Sequence, residues 1–356
     1  MNRLNIVCIL TIGLLLSTVA DVFPGLRPEI EPAVEFQTER RCFFAGQRST
    51  FQLRIKTTEA NGRVPHAVRG ILSVNRRTAG VTQTEFVKSD NGLLKVDLDM
   101  DIPPVKSGVV IPAMMEVQIL SRGSPAIMGR CRKQLYLFHP DPFRLRQTWL
   151  EELQLRLYAP SENCTERFQA AGIPFKVIHN QARIGAFTGG ILVIGNDISL
   201  NKRPGLFKQL KTAAQNGNRV FCLGFVHGTA RLPGLPESNN GSLTNFKLSQ
   251  SDILRSFDKR FDLNSWSTGI IDNGNNFELV VDNGKVVLNF YEGAGGWQWY
   301  EAQYENGGRL IISGLPIIEA WDTSPVPKYL FLQILKSLAR TGTAKTQRTN
   351  QPCKPE

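Results

Sequence analysis

The chain has 356 residues, a length that fits two ordinary domains. Hydrophobic residues make up 42% and charged residues 21% of the chain, close to globular averages, so the composition excludes a disordered or fibrous protein. The formal net charge of +11 favours anionic partners without identifying one.

The N-terminus has the pattern of a signal peptide. Arg3 precedes an apolar run over residues 6–16, and small residues follow up to Ala20. We therefore predict a signal peptide at residues 1–20 and an exported protein, whether periplasmic, at the cell surface or secreted. A permanent membrane anchor is the alternative, but this run is shorter than the roughly twenty residues that a spanning helix needs. No stable membrane span is expected after cleavage.

The predicted export determines how the cysteines are interpreted, because disulfides form in oxidising compartments. Removal of the signal peptide would leave five of them in an oxidising compartment: Cys42, Cys131, Cys164, Cys222 and Cys353. Cys42 and Cys131 lie in strand-like sequence near the two ends of the first domain, and we predict a disulfide between them. Two unpaired, half-buried thiols are the alternative. The sequence has no C-x-x-C pair, so we expect no metal site, and no cofactor motif is present.

Residues 21–140 are predicted to form an immunoglobulin-like antiparallel β-sandwich. Apolar and polar residues alternate in segments 51–56, 94–100 and 115–119, the pattern of strands with one solvated face. Turn sequences such as Asn61-Gly62 separate these segments, and about seven or eight strands fit.

The domain boundary is placed at residues 139–142, where two prolines exclude a helix interior and a central strand. Residues 141–340 then alternate between helical and continuous apolar segments, a pattern typical of a mainly parallel sheet covered on both faces. The strands are expected at 191–194, 219–223 and 309–313, and the helices at 204–215 and 329–339. Asn283-Gly284 predicts a β-hairpin turn, and the polar tail at residues 341–356 is predicted to be disordered.

Four segments of this second half carry a resemblance to a known family. They are Gly190-Ile191-Leu192-Val193-Ile194-Gly195, Gln215-Asn216-Gly217-Asn218-Arg219, Val220-Phe221-Cys222-Leu223-Gly224 and the late strand at residues 306–316. The set resembles the class I glutamine amidotransferase-like superfamily, and within it the non-catalytic branch found in secreted glycosidase-associated and trehalose-utilisation-like proteins. The resemblance implies a flavodoxin-like three-layer α/β/α domain, and its motifs concern the fold much more than activity.

The resemblance also defines where a nucleophile would lie. Active members carry a cysteine on a tight Gly-x-Cys-x-Gly turn, activated by a histidine on a later segment. Cys222 occupies a similar place, but Val220 stands where the turn needs glycine, and residues 315–319 contain no histidine. Cys222 and His227 are therefore only weak catalytic candidates. The alternative is a buried apolar cysteine that ends a core strand.

Three aromatic residues are the predicted ligand-binding site. Trp297, Trp299 and Tyr300 follow a glycine-rich stretch, and flat rings in a loop can stack on sugars or anchor a protein partner. Trp297 and Trp299 would share one face of a strand. The alternative is that both tryptophans cap the α/β core.

These observations predict an exported, non-catalytic binding or assembly protein whose partner is polysaccharide or another envelope protein. A hydrolase acting on glycan or amide bonds, with an atypical site around Cys222, is the alternative, and a structural partner of a larger secreted complex is a third class. Four carboxylates lie near strand ends without a spacing that selects a catalytic pair: Glu292, Glu301, Glu319 and Asp322. Nucleic acid is not expected as a partner, because no basic run is interleaved with aromatic residues.

Overall fold

The computed structural model describes residues 34–56, 64–87, 92–123, 126–231, 242–250, 252–261, 264, 266, 276–281, 284–288 and 297–340. The predicted signal peptide and C-terminal tail lie outside these ranges. Within them, no helix combines the length and the apolar character needed to cross a membrane.

The first half contains eight strands in two packed sheets. Their bounds are β1 Val34–Phe36, β2 Cys42–Phe44, β3 Arg48–Lys56, β4 Pro65–Val74, β5 Arg77–Glu85, β6 Leu93–Asp101, β7 Val110–Ser121 and β8 Ile127–Phe138. One sheet has the order β1-β3-β6 and the other β2-β8-β7-β4-β5. In β3, Phe51, Leu53 and Ile55 are buried while Gln52 and Arg54 are exposed, as alternation requires. The β-sandwich is confirmed, except that the short β2 runs parallel to β8.

The second half is built on a seven-stranded sheet. Its strands are β9 Arg156–Tyr158, β10 Lys176–Val177, β11 Ile191–Ile194, β13 Arg219–Cys222, β15 Leu243–Ser249, β18 Trp299–Tyr304 and β19 Arg309–Ser313. The order is β10-β9-β11-β13-β19-β18-β15; the first five strands are parallel, β18 pairs antiparallel with β19, and β15 pairs antiparallel with β18. Every residue of β11 and β19 is buried, because both faces of the sheet are covered. The mainly parallel sheet is confirmed.

A smaller sheet of order β12-β14-β16-β17 lies beside it. Its strands are β12 Ile198–Ser199, β14 Phe225–Arg231, β16 Asn276–Val281 and β17 Gly284–Leu288. The last two strands form the predicted hairpin. Val281 pairs with Gly284, so Gly284 belongs to β17 and not to the turn expected at Asn283-Gly284.

Five α-helices accompany these sheets: α1 Gln147–Glu152, α2 Glu162–Ala170, α3 Leu206–Gln215, α4 Asp252–Phe257 and α5 Pro325–Arg340. Helix α3 starts two residues later than predicted because Gly205 adopts the left-handed conformation (φ 79°) as its N-cap. Helix α5 starts four residues earlier than predicted. Pro325 and Pro327 fit there, since the first turn of a helix needs no backbone N–H partner.

The large sheet separates two apolar clusters. On one face, Leu206 and Leu210 of α3 pack with Ile194 and Cys222. The opposite cluster contains Phe168 of α2 and Phe331 of α5, whose ring centroids are 4.9 Å apart. Side chains of successive strand residues therefore point into different cores.

The two halves share the second of these clusters. The Phe138 ring at the end of β8 meets the Tyr329 ring of α5 edge-on, with centroids 4.8 Å apart. The Tyr329 hydroxyl donates to the His139 carbonyl at 3.1 Å, and the Cys42 thiol donates to the Arg260 carbonyl at 3.4 Å. The sandwich is thus joined to the α/β half by apolar packing and by hydrogen bonds.

Candidate functional site

Cys222 is the last residue of β13 and lies inside the sheet. Its backbone pairs with Ile194 on one side and Ile312 on the other, and its side chain is 0% exposed. Burial raises the pKa of its thiol well above the ordinary value. Because the thiolate is the nucleophilic form, this environment suppresses reactivity. His227 lies on β14 of the smaller sheet. The alternative of a buried core cysteine fits this geometry.

The aromatic residues predicted to bind a ligand are distributed over both cores. Trp299 is 0% and Tyr300 1% exposed, and the Trp299 ring packs 5.5 Å from the ring of Phe257. Trp297 is half-buried against the opposite cluster, the one that contains Tyr300. The expectation that Trp297 and Trp299 share one face of a strand is wrong, because β18 begins only at Trp299 and the two rings pack against opposite clusters. No face of Trp299 or Tyr300 is left for stacking on a ligand.

The predicted disulfide is also wrong, since Cys42 and Cys131 are both present as thiols. Cys42 of β2 pairs with Tyr136 of β8, and Cys131 lies five residues earlier on β8. At about 3.3 Å per residue the two cysteines are roughly 17 Å apart, whereas a disulfide needs Cα atoms within about 7 Å. Burial raises the pKa of the Cys131 thiol to about 11.

The carboxylates near strand ends have different partners. Glu301 accepts from Arg309 at 2.6 Å in a buried ion pair, and Asp322 pairs with both Arg167 and Lys328. Glu292 lies outside the described residues. Glu319 is different, because its Oε1 accepts from the Nδ2 of Asn196 at 2.7 Å and it has no ion pair among the described residues.

The Asn196–Glu319 pair lies at the carboxyl end of the parallel strands. Asn196 follows β11 by two residues, and Ser161 follows the neighbouring strand β9 by three. A Cβ on Gly195 would lie 3.0 Å from the Ala159 Cβ, so the loops after the two strands are in contact. The chain goes from β9 to β10 on one side and then crosses to β11 on the other. Open α/β sheets bind ligands at this kind of reversal.

Four residues of this reversal carry a buried polar atom without a hydrogen-bond partner among the described residues. The atoms are Tyr158 Oη, Ser161 Oγ, Asn196 Oδ1 and Glu319 Oε2. Asn196 is only 5% exposed. Buried polar groups are almost always paired. Other buried polar atoms of the described residues, such as Gln209 Oε1 and Ser249 Oγ, also lack a partner, so these four atoms do not by themselves define a site. We name these four residues the β9–β11 crevice.

The electrostatics of the β9–β11 crevice are dominated by Glu319. Desolvation raises the pKa of its carboxyl, although the hydrogen bond from Asn196 and the charge of Arg167 act in the opposite direction. The described residues contain no group of three or more His, Cys, Asp or Glu able to hold a metal ion. The crevice therefore offers hydrogen bonds, and neither an activated thiol nor a metal cage is built into it.

A groove of about 400 Å³ lies on the outer side of α2, beside the linker between the two halves. Arg167 and Lys328 both contact Asp322 there. Asp141 accepts from the backbone N–H groups of Phe143 and Arg144. Arg167, Lys328, Asp322 and Asp141 of this groove thus have protein partners.

Of the four residues of the β9–β11 crevice, only Glu319 was named from the sequence. It was treated as one of four carboxylates near strand ends, with no reason to prefer it. Tyr158, Ser161 and Asn196 were missed. One signal was present, because Asn196 and Asp197 follow directly after the continuous apolar strand 191–194 and its glycine. Polar residues at that position belong to the edge of a parallel sheet where ligands bind.

No protein-family model and no curated protein matches the chain. Among solved structures it is similar to murine CRIg, with 12% identity over 30% of this chain and 97% of that one and a TM-score of 0.19. A glycosyl hydrolase family 2 member from Bacteroides cellulosilyticus is 7% identical over 55% of this chain, with a TM-score of 0.21. The sporulation control protein Spo0M from Bacillus subtilis is 11% identical over 34%, with a TM-score of 0.19. The chain spans 36% of the hydrolase and 55% of Spo0M.

Proposed function

We propose that this chain is an exported, non-catalytic binding or assembly protein of the cell envelope or the extracellular space. In this proposal its first half is an immunoglobulin-like sandwich, and its second half keeps a flavodoxin-like scaffold of the amidotransferase-like kind. The order of the five parallel strands supports the scaffold. Numbered along the chain they lie as 2-1-3-4-5, which is the flavodoxin-like order.

The place of Cys222 is the single observation that carries the non-catalytic proposal. A cysteine nucleophile must be exposed on a turn after its strand, where a base can take its proton. Cys222 is paired within the strand itself and lies in the cluster covered by α3. Its thiol has neither the exposure nor the lowered pKa of an activated nucleophile. A hydrolase acting through this residue is therefore not supported.

The proposed partners are polysaccharide or another envelope protein. Two features support a binding role. The signal-peptide pattern at residues 1–20 supports export from the cytoplasm. The carboxyl end of the parallel strands, where α/β proteins bind ligands, carries the polar Asn196–Glu319 pair.

Native-state alkylation across pH tests the proposal. We expect Cys222 to remain unmodified by iodoacetamide from about pH 6 to pH 9 in the folded protein, and to react at once after unfolding. Cys131 is the internal control, because its side chain is partly exposed although burial raises its pKa to about 11. Cys131 should label slowly at high pH while Cys222 does not label. Rapid modification of folded Cys222 well below pH 8 would overturn the non-catalytic proposal.

A further inference from the structure

The two sheets of the sandwich have different outer faces. On β3 of the three-stranded sheet, the outward residues are Arg48, Thr50, Gln52, Arg54 and Lys56, and none of them is apolar. On the five-stranded sheet, Val81 of β5 is 59% exposed and Met114 of β7 is 41% exposed. Single exposed apolar residues are ordinary, so the residues beside Val81 and Met114 decide what the face can do.

The strand register groups these apolar side chains with arginines. One row across the five-stranded sheet contains Val81, Ile71, Glu116 and Arg132, and the next row contains Gln83, Arg69, Gln118 and Arg130. Residues directly opposite in an antiparallel pair lie on the same side of the sheet. Met114 precedes Glu116 by two residues on β7, so it lies on that side too. We name six of these residues the arginine face: Arg69, Ile71, Val81, Met114, Arg130 and Arg132.

The positive charge of the arginine face is only partly neutralised. Glu116 accepts from the Nε of Arg132 at 2.6 Å. Arg69 donates from Nε and Nη2 to the neutral Gln83, at 3.3 and 3.2 Å. Arg130 is exposed, and its side chain makes no hydrogen bond or ion pair with the described residues. Arg69 and Arg130 therefore lack a carboxylate partner in the described part of the chain, and charge complementarity favours an acidic partner.

The dimensions of the arginine face indicate the size of that partner. Four strands about 4.8 Å apart and three rows about 6.7 Å apart give a face of roughly 14 by 13 Å. A stable interface between folded proteins covers about 800 Å² on each partner, so this face suits a short segment better than a second copy of the chain. Alternate side chains of an extended peptide are also about 6.7 Å apart, which is the spacing of Arg130 and Arg132.

The side chains of the face favour a peptide over a polysaccharide. Neither of the two rows contains an aromatic ring that could stack on a sugar. Val81, Ile71 and Met114 instead offer aliphatic contact area beside the guanidinium groups. Arginine and methionine are enriched at protein interfaces, whereas lysine is depleted, and no lysine lies in either row.

We propose that the arginine face binds a short acidic segment of a partner protein. Carboxylates of the segment would accept from Arg69, Arg130 and Arg132, and an apolar side chain of the segment would pack on Val81 and Met114. This inference rests on the proposed binding or assembly function. It selects the protein among the proposed partners and places the contact on the sandwich.

Fluorescence anisotropy tests the proposal with a labelled copolymer of glutamate and tyrosine, which combines carboxylates with apolar rings. We expect saturable binding to the full folded protein with a Kd of about 100 μM or tighter, in about 150 mM NaCl. Polygalacturonate, an acidic polysaccharide, should bind at least about fivefold more weakly. Absence of saturable copolymer binding, or equal or tighter binding of polygalacturonate, would overturn the proposal.

Three variants locate the binding. Arg130→Gln and Val81→Ser should each weaken binding of the copolymer about threefold to tenfold, and both positions are exposed, so the fold is retained. Arg54→Gln is the matched control, because Arg54 is an exposed arginine in the middle of the opposite sheet. It removes the same charge and should leave the Kd nearly unchanged. Equal weakening in Arg54→Gln and Arg130→Gln would show a general effect of net charge and would overturn the assignment, as would unchanged binding in both Arg130→Gln and Val81→Ser.

Sedimentation of the protein alone tests the other occupant of this face, a second copy. We expect no concentration-dependent dimer that is lost in Arg130→Gln, and such a dimer would overturn the proposal. Failure of the inference is distinguishable from failure of the proposed function. The non-catalytic proposal depends on the reactivity of Cys222, which none of these measurements reports.

Discussion

Replacement of Gly308 by alanine is expected to destabilise the α/β half by more than about 4 kcal/mol, enough to prevent stable folding. A Cβ at this position would lie 1.7 Å from the carbonyl oxygen of Ala214 and 3.0 Å from the Cα of Gly217. Both contacts are with the backbone at the end of α3, so no side chain can rotate away. Because β19 starts at the next residue, the displacement would be transmitted to the sheet core. Urea unfolding measures the loss of stability.

Gly307→Ala is the matched control for this prediction. Gly307 has a positive φ of 78°, but a Cβ added there would have no atom of the described residues within 4 Å. The expected cost is only the left-handed strain, about 1–2 kcal/mol. If Gly308→Ala and Gly307→Ala lower the free energy of unfolding equally, the close contact between the end of α3 and the residue before β19 is contradicted.

Glu301→Gln is expected to destabilise the protein by about 3–5 kcal/mol, because it leaves the Arg309 guanidinium buried without its countercharge. Arg309 donates to Glu301 Oε1 from Nη2 at 2.6 Å and from Nε at 3.1 Å. The two side chains are only 9% and 12% exposed. Glutamine keeps the shape of the side chain, so the change measures charge and not a cavity. Thermal or urea unfolding gives the difference.

Glu116→Gln provides the comparison at an exposed ion pair. Its partner Arg132 is 59% exposed in the sandwich, and such pairs contribute about 0–1 kcal/mol. A small loss is therefore expected there. Equal losses in Glu301→Gln and Glu116→Gln would show that the Arg309–Glu301 pair is not effectively buried.

The periodicity of the sequence was enough to predict the antiparallel sandwich and the mainly parallel sheet, because alternation and continuous apolar runs depend on which faces of a strand are covered. Segments 51–56 and 191–194 show the two cases. Helix ends were less predictable. The start of α3 depends on the left-handed backbone of Gly205, and that of α5 on the tolerance of a first turn for proline.

Long-range placement could not be predicted in the same way. Asn196 and Glu319 are 123 residues apart, and only the order of the parallel strands brings them together. The Cys42–Cys131 prediction failed for a related reason. Strand pairing brought β2 beside β8, but the register placed Cys42 opposite Tyr136. Composition and local spacing contain no information on register between strands that are distant in the chain.

The buried aromatic residues show a further limit of local patterns. Trp299 and Tyr300 follow a glycine-rich segment that is typical of a loop, but β18 starts at Trp299 and inserts the two rings into opposite clusters. The same burial removed the predicted stacking surface.

The central proposal is that the second half does not use Cys222 as a nucleophile. The most direct measurement is the rate at which iodoacetamide modifies Cys222 in the folded protein between about pH 6 and pH 9. We expect no modification before unfolding, because the side chain is 0% exposed and burial raises the pKa of its thiol. Rapid modification of the folded protein well below pH 8 would contradict the account.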